Sequence, residues 1–129
     1  IGNHPIGDAV QVLGGWLSKD QIRAHIDCAH AVVLPFVLVP SDVPVAALEA
    51  LARGKPVVVS PVDGLPELAD GRGLIVDPTD QPLFSRQLAD FSRNDRGWQG
   101  SVSRARQFID SYPEWSHIGS TATEWVDQP

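Results

Sequence analysis

The stretch Pro44-Val45-Ala46-Ala47-Leu48-Glu49-Ala50-Leu51-Ala52-Arg53-Gly54-Lys55-Pro56-Val57-Val58-Val59-Ser60 holds a helix, its stop signal and a strand in one run. Pro44 suits a first helical position, where its missing N–H costs nothing. Val45, Leu48, Leu51 and Ala52 form an apolar stripe, and Gly54 followed by Pro56 predicts a left-handed cap that ends the helix at Arg53. Pro56 to Ser60 then reads as a buried parallel strand, because its β-branched residues run on without polar alternation.

Outward from this unit the same grammar repeats. Val10–Leu13, Val32–Pro35 and Gly73–Asp77 are short apolar runs bounded by Gly, Pro or Asp and predict three more strands. Ser18 and Gln21 have the spacing of a capping box, so a helix is expected from Lys19 to Ala29 with Ile22, Ile26 and Ala29 on one face. A short helical turn is expected over Leu65–Ala69. Beyond Asp77 the pattern is helical only: Leu83 or Phe84, Leu88 and Phe91; Trp98, Val102, Ala105 and Ile109; and Trp115, Ile118, Ala122 and Trp125. Strands alternating with helices imply an α/β fold with a Rossmann-like parallel sheet of about four strands and carboxyl-terminal helices. The expected division is a linker-like start over residues 1–9, a βα core over 10–79 and a helical tail over 80–129.

Composition sets limits. The chain has 129 residues, 43% of them hydrophobic, a formal charge of −6 and a mean hydropathy of −0.07, which belongs to a folded domain rather than a disordered one. The acidic balance offers no face for tracking phosphates, so nucleic acid is not an expected partner. One cysteine, Cys28, excludes an internal disulfide and a cysteine-built zinc site. Between residues 81 and 106 five arginines stand against Asp90 and Asp95, which reads as a solvated outer helix face. No apolar run reaches a membrane-spanning length, since His30, Pro35 and Pro40 interrupt the longest. The missing methionines and the absence of any leader pattern at Ile1 suggest a piece of a longer chain, and a cytoplasmic setting is the expectation.

Ligands of open α/β sheets bind outside the carboxyl ends of the strands. The helix starting at Pro44 therefore offers Pro44, Val45 and Ala46 as an anion-facing terminus, although every βα turn has this arrangement. Glu49 has two readings. It forms an i, i+4 ion pair with Arg53, or its carboxylate accepts hydrogen bonds from vicinal ribose hydroxyls.

These motifs, in the order Leu34-Pro35, Pro44 to Val58, Gly64-Leu65-Pro66-Glu67-Leu68 and Gly71-Arg72-Gly73-Leu74-Ile75-Val76-Asp77-Pro78, resemble the carboxyl-terminal, donor-binding domain of group 1 retaining glycosyltransferases. The similarity extends from about Val10 to Trp125, with Tyr112 and Trp115 matching an aromatic pair that opens the last helix. The resemblance implies the GT-B architecture of two facing Rossmann-like domains and transfer of a sugar from a nucleotide-sugar donor to a glycan, polysaccharide or lipid acceptor. It implies that Glu49 binds the ribose, that Pro44 to Ala46 face the diphosphate and donor sugar, and that Gly64, Leu65 and Glu67 line the donor pocket. Gly64 suits a tight turn near ligand, while Glu67 reads equally as a carboxylate favoured by a helix dipole.

The family glutamate eight positions before Glu49 is Ser41 here, with Asp42 one residue away as its substitute. The family's diphosphate-binding Arg and Lys would precede this chain, so Arg53, Lys55 and Arg72 are the basic residues near the site and the catalytic residues are not identified. No metal or cofactor is expected, in keeping with a metal-independent class. The acceptor would be met by an amino-terminal domain outside this chain, at the inner face of a membrane with which the parent associates peripherally. In the family's sheet order Val10–Leu13 would not neighbour Val32–Pro35, so an exposed edge, a moved first strand or a dimer is expected. The alternatives are a non-catalytic nucleotide-sugar-binding or interaction module and a GT-B-type sugar-nucleotide epimerase.

Overall fold

Val57, Val58 and Val59 are all completely or almost completely buried, and around them the architecture is organised. In the computed structural model, which describes residues 9–38, 43–114, 116–117 and 120, they form the central strand of a three-stranded parallel sheet. With strands numbered along the chain, β1 is Val32–Leu34, β2 is Val57–Val59 and β3 is Gly73–Ile75, in the order β1-β2-β3. Val57 lies opposite Val32 on one side and Gly73 on the other, and Val59 opposite Leu34 and Ile75. Only a strand paired on both sides and covered on both faces can be valine throughout.

Among the described residues five helices of defined extent accompany the sheet: α1 Lys19–Cys28, α2 Val45–Ala52, α3 Leu65–Ala69, α4 Gln81–Arg93 and α5 Asp95–Asp110. The side chains of Val57 and Val59 point to one face, where they join Ala47, Ala50 and Leu51 of α2, Leu65, Leu68 and Ala69 of α3, and Ala105 of α5 in a single core. Helix α5 lies against α2, with Phe108 and Ile109 packed on that core.

The ends of the helices follow their sequence signals closely. The Ser18 hydroxyl accepts the Gln21 N–H at 3.2 Å while the Gln21 side chain accepts the Ser18 N–H at 2.8 Å, completing the capping box of α1. At the end of α2, Gly54 has φ +65°, its N–H donates to Leu51 O at 2.8 Å, and the Lys55 N–H donates to Ala50 O at 2.9 Å. Those two bonds satisfy carbonyls that the helix itself cannot, and the positive φ would strain any side chain at residue 54, where a Cβ would also lie 2.7 Å from Arg106 Nε.

Two expectations fail. Val10–Leu13 is not a strand, and Val10, Val12 and Leu13 are exposed. An apolar run becomes a strand only when a ladder partner takes its N–H and C=O groups, and no described strand pairs with it although β1 and β3 are each paired on one side only. Pro44 is the cap of α2 rather than its first residue, with φ −64° and ψ 126°, and Arg53 is the cap at the other end, so the helix is one residue shorter at each end than expected. In α1, only Ile26 of the expected face is buried. The four apolar positions of the last helical pattern, Trp115, Ile118, Ala122 and Trp125, and residues 1–8 of the linker-like start lie outside the described residues.

Candidate functional site

Helix α2 returns antiparallel to the sheet after β1, so its first turn lies at the carboxyl edge of the strands. Pro44 contributes no side-chain hydrogen bond, and its carbonyl takes the Ala47 N–H at 3.0 Å. The N–H groups of Val45 and Ala46 have no acceptor among the described residues, and both residues are exposed. Two unpaired amides at the positive end of a helix dipole form a ready anion receptor.

Glu49 stands one turn further along the flank that carries Val45 and Ala46. It is half-buried, and its carboxylate has no hydrogen-bond or ionic partner among the described residues. Arg53, its expected i+4 partner, instead reaches Asp27 of α1 at 3.0 Å. The ion-pair reading of Glu49 with Arg53 therefore fails, and among the described residues nothing else pairs with the carboxylate. Ser41 and Asp42 lie outside the described residues.

The loop after β2 presents a second side. Gly64 caps α3 at φ −77°, an ordinary conformation, and the residue in left-handed geometry is Asp63, at φ 46°. Leu65 is wholly buried in the core, with its N–H donating to Val62 O at 3.2 Å. Glu67 is exposed. Gly64 and Glu67 open on a cleft of about 450 Å³ shared with Val43, Leu68, Phe108 and Tyr112. The structure thus brings Gly64 and Glu67 to the same hollow as the residue preceding the α2 cap, and turns Leu65 away from it. Tyr112 packs edge-on against Phe108 with centroids 5.3 Å apart, while Trp115 lies outside the described residues.

The three basic residues near the site are all engaged in holding the fold. Besides Arg53, Lys55 donates to Asp27 O at 2.8 Å. Arg72 donates to Leu68 O at 2.7 Å and Glu67 O at 2.6 Å, capping the end of α3 while its guanidinium lies 4.3 Å from the centre of the Phe108 ring. Arg104 of α5 donates to Gly71 O, and Arg106 lies over Gly54, so part of the basic run serves to dock α5.

Two polar residues that the sequence patterns pass over stand at the carboxyl ends of β2 and β3. Ser60 is completely buried, and its hydroxyl has no hydrogen-bond partner among the described residues. Asp77 accepts from the Thr79 hydroxyl at 2.7 Å and from the Thr79 N–H at 2.8 Å, and these bonds, the side-chain one first, hold its carboxyl below the ordinary value. The available signal for Ser60 is a polar residue closing a run of buried valines.

A three-stranded parallel sheet with crossover helices between its strands defines a Rossmann-like module. Residues 3–94 match the family of group 1 glycosyl transferases, and the chain belongs to that family. It is a glycosyltransferase-like module. No curated protein matches the chain. No helix among the described residues is long and apolar enough to cross a membrane.

Proposed function

We propose that this chain is the donor-binding module of a glycosyltransferase, taking a nucleotide-sugar with its diphosphate at the first turn of α2 and its ribose at Glu49. The observation that carries this reading is that, among the described residues, the Val45 and Ala46 amides have no acceptor and the half-buried Glu49 on the same helix flank has no partner. The two groups complement a nucleoside diphosphate, since the amides donate to anionic oxygens and the carboxylate accepts from vicinal hydroxyls. Ser41, Asp42, Gly64 and Glu67 belong to the sugar end of the donor, and Leu65 supports that loop from the core. The acceptor, a glycan or lipid, meets a second domain at the cytoplasmic face of a membrane, and transfer retains the anomeric configuration without a metal.

Calorimetric titration of the full chain with a panel of nucleoside diphosphates and nucleotide-sugars tests the assignment. Glu49→Ala is expected to weaken the best ligand by about 1–3 kcal/mol, roughly 5- to 150-fold, through loss of charge-assisted hydrogen bonds. Equal affinities for the two proteins would remove Glu49 from the site.

A second reading, a nucleotide-sugar-binding module without catalysis, is favoured by one observation. Arg53, Lys55 and Arg72 are all committed to backbone carbonyls or to Asp27, and a departing diphosphate needs positioned cations. Donor hydrolysis or transfer by the intact parent decides for the enzyme, and binding without turnover decides for the module.

A further inference from the structure

A cleft of about 390 Å³ lies at the amino end of β1, where His30 and Ala31 come against the last turns of α4 and the first turn of α5. The first turn of α2 follows the carboxyl end of β1, so Val45, Ala46 and Glu49 have no share in this cleft. Its size falls in the range of small-molecule pockets, roughly 300–1,000 Å³.

The walls are aromatic. Phe91 of α4 and Trp98 of α5 line the cleft and are half-buried, and the His30 ring lies with its centroid 6.1 Å from that of Trp98. The planes of those two rings are inclined at 52°, so they do not stack and their faces are not spent on each other. Ala31 and Leu88 add apolar surface.

One charged side chain lines the cleft. Asp95 is exposed, and its carboxylate has no hydrogen bond or ion pair among the described residues, although Arg93 and Arg96 are close to it in sequence. Among the described residues no Lys or Arg lines the cleft. A carboxylate in the first turn of α5 is favoured by the helix dipole whatever else it does, so Asp95 alone assigns nothing. The rings beside it restrict the ligand. Ring faces are electron-rich and attract cations, and a carboxylate adds to that attraction while repelling anions. A metal ion does not suit the cleft, because no group of three metal-ligating side chains occurs among the described residues. An organic cation, weakly hydrated and apolar over most of its surface, fits both the rings and the carboxylate.

We propose that this cleft binds a small organic cation of the alkylated-ammonium class, held against the Phe91 and Trp98 rings and countered by Asp95. It is a second site, separate from the donor crevice.

The NMR spectrum of the full chain is recorded during titration with choline, with benzyltrimethylammonium and with 3,3-dimethylbutanol, the uncharged isostere of choline. Saturable shifts of the Trp98 indole N–H and of the Ala31, Ser92 and Gln99 amides are expected with at least one ammonium probe. Choline is expected to bind at least about fivefold more tightly than its isostere. Trp98→Leu is expected to lose at least about fivefold in affinity, and Asp95→Asn at least about threefold. Asp95→Asn is the deciding variant, because an exposed side chain without a partner can be changed with the urea midpoint preserved.

No saturable shift with either ammonium up to about 50 mM, equal affinity for the isostere, or an unchanged affinity in Asp95→Asn would overturn the site. Failure of Asp95→Asn to fold would do the same, since the carboxylate would then serve the fold. A nucleoside diphosphate is expected to leave these signals in place while moving the Val45 and Ala46 amides. A diphosphate response at Trp98 instead would overturn the separate cation site, and no response at either place would count against the donor reading alone.

Discussion

Gly73→Ala is expected to unfold the chain, or to leave it at least about 3 kcal/mol less stable in urea denaturation. A Cβ built at Gly73 would lie 1.7 Å from Val57 O and 2.7 Å from Val57 C, and both atoms belong to the backbone of the central strand. A clash with a flexible side-chain tip relaxes cheaply, whereas this one requires β3 to withdraw from β2. Withdrawal breaks the pairing of Val57, Val58 and Val59 with Gly73, Leu74 and Ile75. It also moves Asp77 and Thr79, which follow directly from β3. Gly14→Ala is the control: nothing lies within 4 Å of the added carbon, so its change should stay within about 0.5 kcal/mol of zero. A Gly73→Ala protein with the original urea midpoint would contradict the β2–β3 register.

Leu51→Ala comes second, with an expected loss of about 2–5 kcal/mol. Leu51 is completely buried among α2, the sheet and α3, and its removal leaves both lost apolar contact and a cavity. Domains of ordinary stability hold only about 5–15 kcal/mol in reserve, so this one substitution consumes a large part of it. Ile22→Ala, at a position that is 38% exposed, should cost much less. The comparison also separates folding from binding. Leu51 faces the core and not the crevice, so Leu51→Ala should bind nucleotide with near-original affinity under conditions where it remains folded. Glu49→Ala should show the opposite pattern, normal stability with weakened binding.

Local chemistry was fully legible in the sequence. The capping box of Ser18 and Gln21, the left-handed Gly54 and the buried run Val57–Val59 each depend on residues a few positions apart, and each stands as its pattern requires. The two strands on either side of β2 were readable for the same reason. What was not legible depends on distant partners. Val10–Leu13 has strand composition, but strand formation depends on docking against a ladder partner, and it pairs with none of the described strands. Arg53 sits correctly for Glu49 along α2, yet Asp27, far away in sequence, takes it. Leu65 is expected with Gly64 and Glu67 on a pocket wall, and its side chain is in the core.

The candidate site divides in the same way. Pro44, Val45, Ala46 and Glu49 share one helix, so their relative placement follows from helical spacing alone. The approach of Gly64 and Glu67 to Val43 depends on how two crossovers pack, and Ser60 becomes conspicuous only once its burial and missing partner are seen. Arg72 shows how a cation next to a binding loop serves structure: two carbonyls of α3 and the Phe108 ring occupy its guanidinium.

The central claim, that Glu49 holds the ribose of a nucleotide-sugar, is tested most directly by a cycle that removes each partner in turn. The best-binding nucleoside diphosphate and its 2′,3′-dideoxy analogue are titrated calorimetrically into the original protein and into Glu49→Ala. If the carboxylate binds the ribose hydroxyls, deleting them weakens binding to the original protein by at least about 1 kcal/mol and hardly affects the variant, so the two changes are strongly non-additive. Losses that simply add to within about 0.3–0.5 kcal/mol would show that Glu49 and the ribose do not touch, and would contradict the account.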